Sequence, residues 1–143
     1  MNRVIIYTDG SCRGNPGPGG WAAILTYGQQ EKEIFGAEKM TTNNRMELQA
    51  AVEALKSLTR RCEVDLFTDS QYLRQGMKAW IHNWRRNGWL SSDKKPIKNQ
   101  DLWIQLDECA SNHHVHWHWV KAHNGHEFNE RVDLLAKQAI GDV

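Results

Sequence analysis

A chain of 143 residues suits one compact domain, long enough to bury a core without disulfides or a structural metal. Hydrophobic residues make up 40% and charged residues 24%, ordinary for a soluble globular protein, and the formal net charge is only +1. No apolar run approaches the ~20 residues needed to span a bilayer, and Val4-Ile5-Ile6-Tyr7 lacks the longer stretch and cleavage site of a signal peptide. A cytoplasmic location is the default. Cys12, Cys62 and Cys109 are odd in number and widely spaced, which excludes a disulfide framework or a zinc ribbon. Free, mostly buried thiols are expected.

The elements follow in chain order. Val4 to Asp9 is a β-rich run, with Gly10-Ser11 expected to turn it. The stretch from Gly14 to Gly20 reads as a loop, rich in glycine and proline. Trp21 to Tyr27 and Glu31 to Lys39 flank Gly28-Gln29-Gln30 and predict a hairpin, so the first three strands form an antiparallel meander. Thr42-Asn43-Asn44 can cap a helix marked by Leu48, Val52, Leu55 and Leu58, with Glu47 in its first turns. Glu63 to Thr68 is a strand ending at Asp69-Ser70. Gln71 to Trp89 looks helical and broken in two, Ser91 to Lys98 is a basic loop, and Asn99 to Ala110 is helical again. Val115 to Val120 is a strand, Lys121 to His126 a polar loop, and Glu127 to Ile140 a last helix. The order predicts an α/β chain with a mixed sheet, its later strands parallel because helices separate them. No repeat or linker interrupts it, so residues 1–143 form a single domain.

Charge is unevenly placed. From Tyr72 to Lys98 there are seven basic residues and one acid, so this segment carries +6 and the remainder −5. Such asymmetry can turn one surface toward a polyanion. Four carboxylates stand where function is often found. Asp9 and Asp69 close strands, where crevices form in α/β sheets. Glu47 lies near a helix start, and Asp133 lies among Val132, Leu134, Leu135 and Ala136. Carboxylates brought together repel one another, and hard divalent cations such as Mg²⁺ resolve that repulsion. Asp-Gly and Asp-Ser are also common turn starters, and Glu47 and Asp133 could instead sit on solvated helix faces or in salt bridges.

The surrounding strings narrow the choice. Tyr7-Thr8-Asp9-Gly10-Ser11-Cys12, Thr42-Asn43-Asn44-Arg45-Met46-Glu47 and Thr68-Asp69-Ser70-Gln71-Tyr72 resemble the motifs of type 1 ribonucleases H. So does Trp119-Val120-Lys121-Ala122-His123, followed by Gly125-His126, Asn129-Glu130 and Asp133. The likeness is greatest to the bacterial ribonucleases HI and covers nearly the whole chain. It implies the ribonuclease H-like fold: a five-stranded mixed sheet, three antiparallel strands then two parallel, flanked by helices. It implies cleavage of the RNA strand of RNA–DNA hybrids, with 5′-phosphate and 3′-hydroxyl products. Asp9, Glu47, Asp69 and Asp133 would hold two Mg²⁺ ions, with Mn²⁺ a possible substitute; one ion would activate water and the other stabilise the leaving 3′ oxygen. His123 would assist in proton transfer or product release.

The same likeness assigns substrate contacts. Cys12, Asn15, Thr42, Asn43, Asn44 and Gln71 would face the hybrid's wide minor groove, where 2′-hydroxyls distinguish RNA from DNA. Contacts confined to sugars and phosphates would make cutting sequence-independent. The stretch from Trp80 to Trp89 matches the family's basic protrusion. Trp80, Arg85, Arg86, Lys94 and Lys95 would grip the DNA strand, with Trp84 and Trp103 in the core. The domain is expected to act as a monomer, without the additional N-terminal hybrid-binding domain that some members carry.

His113-His114-Val115-His116-Trp117-His118-Trp119 invites a zinc reading, since alternation puts His114, His116 and His118 on one strand face. A half-buried strand with a polar outer face is favoured, because the carboxylates already account for function. Cys109 is expected in the core. Two rivals remain: a hybrid-binding module without turnover, which loss of a ligand would signal, and a resolvase- or transposase-like nuclease, which would not share these motifs. A nucleotide-binding α/β protein is disfavoured because the glycine-rich loop has neither GxGxxG nor GxxxxGK[ST] spacing.

Overall fold

The apolar alternation at the start of the chain outlasts the turn signal that follows it. In the computed structural model, which describes residues 2–121 and 127–141, strand β1 runs unbroken from Asn2 to Cys12. Gly10-Ser11 is therefore strand, not the expected turn. Gly10 serves a close approach instead: an added Cβ would lie 2.4 Å from the Glu47 amide nitrogen and 2.5 Å from the Met46 carbonyl carbon. The glycine-rich loop is also shorter than expected. Strand β2 already starts at Gly17 and continues to Tyr27, because Ser11 and Cys12 pair with Gly20 and Gly19 and satisfy their backbone groups.

Strand β3 (Gln30–Thr41) completes the meander, helix α1 (Asn43–Lys56) crosses the sheet, and β4 (Cys62–Thr68) returns beside β1. Thr42 caps α1, its Oγ1 accepting from the Arg45 amide at 3.2 Å. Strand β5 (His114–Trp119) pairs with β4. The sheet order is β3-β2-β1-β4-β5, antiparallel through β3, β2 and β1 and parallel through β1, β4 and β5. This is the mixed sheet that the element order predicts.

The helical stretch after β4 breaks into three pieces. Helix α2 (Gln71–Gln75) passes through a π-helical turn (Gly76–Trp80) into α3 (Ile81–Arg86). The π turn sits where Gly76 meets Trp103, with the place of its missing Cβ only 2.0 Å from the indole Cη2. Trp103 is fully buried and donates through Nε1 to the Tyr72 hydroxyl at 3.0 Å. Trp84 packs on Trp103 with ring centroids 5.0 Å apart, and Trp80 is half-buried between Tyr72 and Trp84. Helices α4 (Gln100–Ser111) and α5 (Glu127–Ile140) complete the fold.

Alternation decides which face each strand residue covers. Val4, Ile6, Val64 and Leu66 join Leu48, Val52 and Leu55 of α1 and Leu102, Trp103 and Leu106 of α4 in the main core. Tyr7, Ala22 and Ile24 point the other way and meet Val132 and Ala136 of α5, which packs over β1, β2 and β3. Cys62 is buried, but Cys12 and Cys109 are only half-buried, so the thiols are less enclosed than expected. Among the described residues no helix is long and apolar enough to cross a membrane.

The contact at Gly10 is backbone on backbone and cannot relax by rotating a side chain. Gly10→Ala is expected to cost about 1–3 kcal/mol in urea denaturation, the usual range for overpacking. Unchanged stability would show that α1 can retreat freely from β1.

Candidate active site

The parallel ladder between β1 and β4 extends as far as Tyr7 opposite Phe67. Beyond that point the strands part. β1 stays with β2, while the Thr68 carbonyl accepts from the Val120 amide at 3.0 Å. Asp9 and Asp69 stand on the two sides of this split, in the crevice that opens where the neighbouring parallel strands part. The strand around Asp9 continues through it, so the carboxylate projects from a rigid ladder and not from a turn. Glu47 enters from the first turns of α1, delivered by the close approach at Gly10. One carboxylate oxygen from each of Asp9, Glu47 and Asp69 lies within 4.8 Å of the others. Asp133 arrives from α5 and hydrogen-bonds to Asp9. The four sequence-predicted carboxylates thus converge from β1, α1, α5 and the junction between β4 and α2.

Asp9 is 4% and Glu47 5% exposed, while Asp69 and Asp133 are half-buried. Burial, the Asp69 charge and the bond to Asp133 push the Asp9 carboxyl up to about 8, countered in part by the Gly10 amide donating to Oδ1 at 2.9 Å. Burial and the charges of Asp9 and Asp69 hold Glu47 well above the usual carboxylate range. The Glu47 Oε2 atom is buried with no hydrogen-bond partner among the described residues. An orphaned buried oxygen beside two further carboxylates is an all-oxygen donor set that fits a hard divalent cation.

Lys137 was not singled out in the sequence. Its Nζ lies 3.0 Å from Asp133 Oδ2, one helical turn away, and its charge also reaches Asp9. The i,i+4 spacing of Asp133 and Lys137 was the available signal. Arg45 makes a further link that local sequence pattern does not reveal. It bonds Asp101 at 2.7 Å and Asn99 at 3.2 Å, tying the start of α1 to the start of α4.

The expected substrate contacts fall into two groups. Cys12, Asn15, Thr42, Asn43 and Asn44 come together at one end of the sheet. Asn15 Oδ1 accepts from the Asn43 amide at 3.1 Å, and the Cys12 thiol lies 3.5 Å from the Gly17 and Thr41 carbonyl oxygens. Gln71 is exposed as the first residue of α2, directly after Asp69-Ser70. The second group lies on the helical protrusion and the loop after it. Arg86 and Lys94 and Lys95 are exposed, the lysines in a turn closed by the Ser91 amide donating to the Lys95 carbonyl at 2.7 Å. Arg85 is exposed too, but its Nε donates to Asp107 Oδ1 at 3.0 Å, so part of its charge is already matched. His123 lies outside the described residues.

The RNase H family model matches residues 1–141. The chain belongs to the ribonuclease H family. A ribonuclease H of Rhodopseudomonas palustris strain BisB5 is 61% identical over 140 residues, covering 98% of this chain and 93% of that protein. One from Cupriavidus metallidurans is 55% identical over 143 residues, covering 100% and 99%. Among solved structures, LC9-RNase H1, a type 1 RNase H with the type 2 active-site motif, superposes with a TM-score of 0.90 at 34% identity, covering 99% of this chain and 74% of that one. LC11-RNase H1 in complex with RNA/DNA hybrid gives 0.72 at 25% identity, covering 97% of each chain. The ribonuclease H fold is therefore the frame in which the four carboxylates meet.

Crowding these acids has a measurable cost when no cation is bound. The Asp9 carboxyl is raised from 3.8 to about 8, so between these values the folded chain holds a proton that the unfolded chain has lost. Stability from this group is therefore lost as pH rises through that window and levels off above it. In EDTA at pH 8, Asp9→Asn is expected to be more stable than the parent by about 1–3 kcal/mol, the scale of relieving an unsatisfied buried group. The gap should close near pH 4, and Mg²⁺ at pH 8 should narrow it. Equal stability of the two proteins across the range would mean that the acids do not repel one another.

Proposed function

We propose that the chain is an endonuclease that hydrolyses the RNA strand of RNA–DNA hybrids, leaving 5′-phosphate and 3′-hydroxyl ends. The observation that carries this is the convergence of Asp9, Glu47 and Asp69, joined by Asp133, at the split between β1 and β4 in a chain of the ribonuclease H family. Two divalent ions, Mg²⁺ by the donor chemistry with Mn²⁺ a possible substitute, would supply an activated water and stabilise the leaving 3′ oxygen.

The protein's own part is to hold and orient. Asp9 is fixed by the β1 ladder and the Gly10 amide, and Glu47 by the α1 backbone resting on β1. Lys137 anchors Asp133 from the outer side of α5. The end of the sheet bearing Cys12, Asn15, Thr42, Asn43, Asn44 and Gln71 takes the minor groove, where small polar groups read 2′-hydroxyls. Trp80, Arg85, Arg86, Lys94 and Lys95 take the DNA strand's backbone, with Arg86 and the lysines contributing more than the already paired Arg85. His123 assists proton transfer or product release. The enzyme works as a monomer in the cytoplasm. The solved complex of LC11-RNase H1 with a hybrid, at 25% identity, supports the substrate class.

The test uses a hybrid labelled on each strand, beside single-stranded RNA, duplex RNA and duplex DNA. Cutting should be confined to the hybrid's RNA and require Mg²⁺, and Asp9→Asn should bind hybrid but not cut it. Cleavage by Asp9→Asn at the parental rate would reject the assignment. The Arg86→Ala, Lys94→Ala, Lys95→Ala triple variant should raise KM and lower the salt slope of hybrid binding by about 2 to 3, one charge per phosphate contact. An unchanged slope would remove the basic loop from the interface.

A further inference from the structure

The outer face of the sheet beyond α5 holds a second group of metal-binding side chains. β4 and β5 pair in parallel with Glu63 opposite His114 and Asp65 opposite His116. His114 and His116 stand two residues apart on one strand and therefore on one face. Both rings reach the same carboxylate oxygen: His116 Nε2 lies 2.7 Å and His114 Nδ1 3.4 Å from Glu63 Oε1. The two rings lie 4.5 Å apart, and one donor atom from each of the three residues falls within 4.8 Å of the others. A tetrahedral zinc with bonds of about 2.0–2.1 Å sets its ligand atoms about 3.3 Å apart, a closure that small side-chain rotations supply.

Glu63 keeps its carboxylate turned to the two imidazoles. Arg3 stands opposite Glu63 on β1 and its charge reaches that carboxylate, but its guanidinium is paired with Asp65 at 2.6 Å. His118, the third histidine of the face, is also held by Asp65, at 2.8 Å. Glu63 is left with the two imidazoles as its ion-pair partners among the described residues. The His114 and His116 side chains are 59% and 41% exposed, so a fourth position is open to water. Two imidazoles and one carboxylate with an open position are a zinc-type set, in contrast to the all-oxygen set around Asp9. The two groups are separate, since Glu63 precedes Asp69 by six residues, about 20 Å along the strand.

We propose that Glu63, His114 and His116 form a surface zinc site that clips β4 to β5. The sequence offered a run of histidines and favoured a polar outer face; the parallel register adds the carboxylate that completes three ligands. The clip joins the strand that leads into Asp69 to the edge strand that leads toward His123.

Equilibrium dialysis of the full chain against Zn²⁺, with millimolar Mg²⁺ present to occupy the acidic site, tests this by metal analysis. One zinc per chain is expected. His114→Ala, His116→Ala and Glu63→Gln should each weaken it tenfold or more, while His118→Gln should not. Zinc should also raise the melting temperature of the parent and leave that of His116→Ala unchanged, which separates ligation from a folding defect. No bound zinc in the parent, or binding that survives His116→Ala and is lost in Glu47→Gln, would overturn the proposal.

Discussion

Four carboxylates held within reach of one another, two of them buried, repel, and much of the structure can be understood as what keeps them there. Asp9 is locked on both sides, by the antiparallel ladder to β2 and, just before it, by the parallel ladder to β4. Glu47 is delivered by a helix whose backbone touches the strand at the one residue with no side chain. The fold thus spends stability to assemble negative charge before any cation arrives, as expected of a preorganised site. Without the sheet and the two cores on its faces, the same acids would separate into water.

The electrostatic layout divides the molecule. Around Asp9 the donors are all oxygen, the cation at hand is Lys137, and the chain opens at the split between strands. On the protrusion the charge is positive and mostly exposed, supported from beneath by the buried Trp103 and by Trp84 packed against it. On the far half of the outer sheet face the groups are histidines, two acids and Arg3. The sheet and the helical protrusion beside it thereby present three surfaces of different chemistry.

Much of this was legible in the sequence. The last helix has the bounds its pattern implied, and the Thr42 cap and the antiparallel-then-parallel strand directions also agree. The departures have a common cause. Gly10, Gly19 and Gly20 carry turn-forming composition, yet they lie in strands where α1, β3 and α5 come too close for a side chain. Local propensity cannot report a helix arriving from elsewhere. The partners of Arg85, Arg45 and Glu63 were hidden for the same reason, since Asp107, Asp101 and the histidines of β5 lie far along the chain. Lys137 is different: its partner is one helical turn away, and that spacing was readable.

The π turn at Gly76–Trp80 sets the angular phase of the protrusion. It accommodates one residue more than an α-helix would, an offset of roughly 100° about the helix axis. That offset brings Leu73 and Ile81, eight residues apart, onto nearly the same side of the segment, and both are buried. The direction in which the basic arm points is therefore written in residue count, not in residue type. Lineages that gain or lose one residue here would swing the arm around its axis without altering a single charge on it.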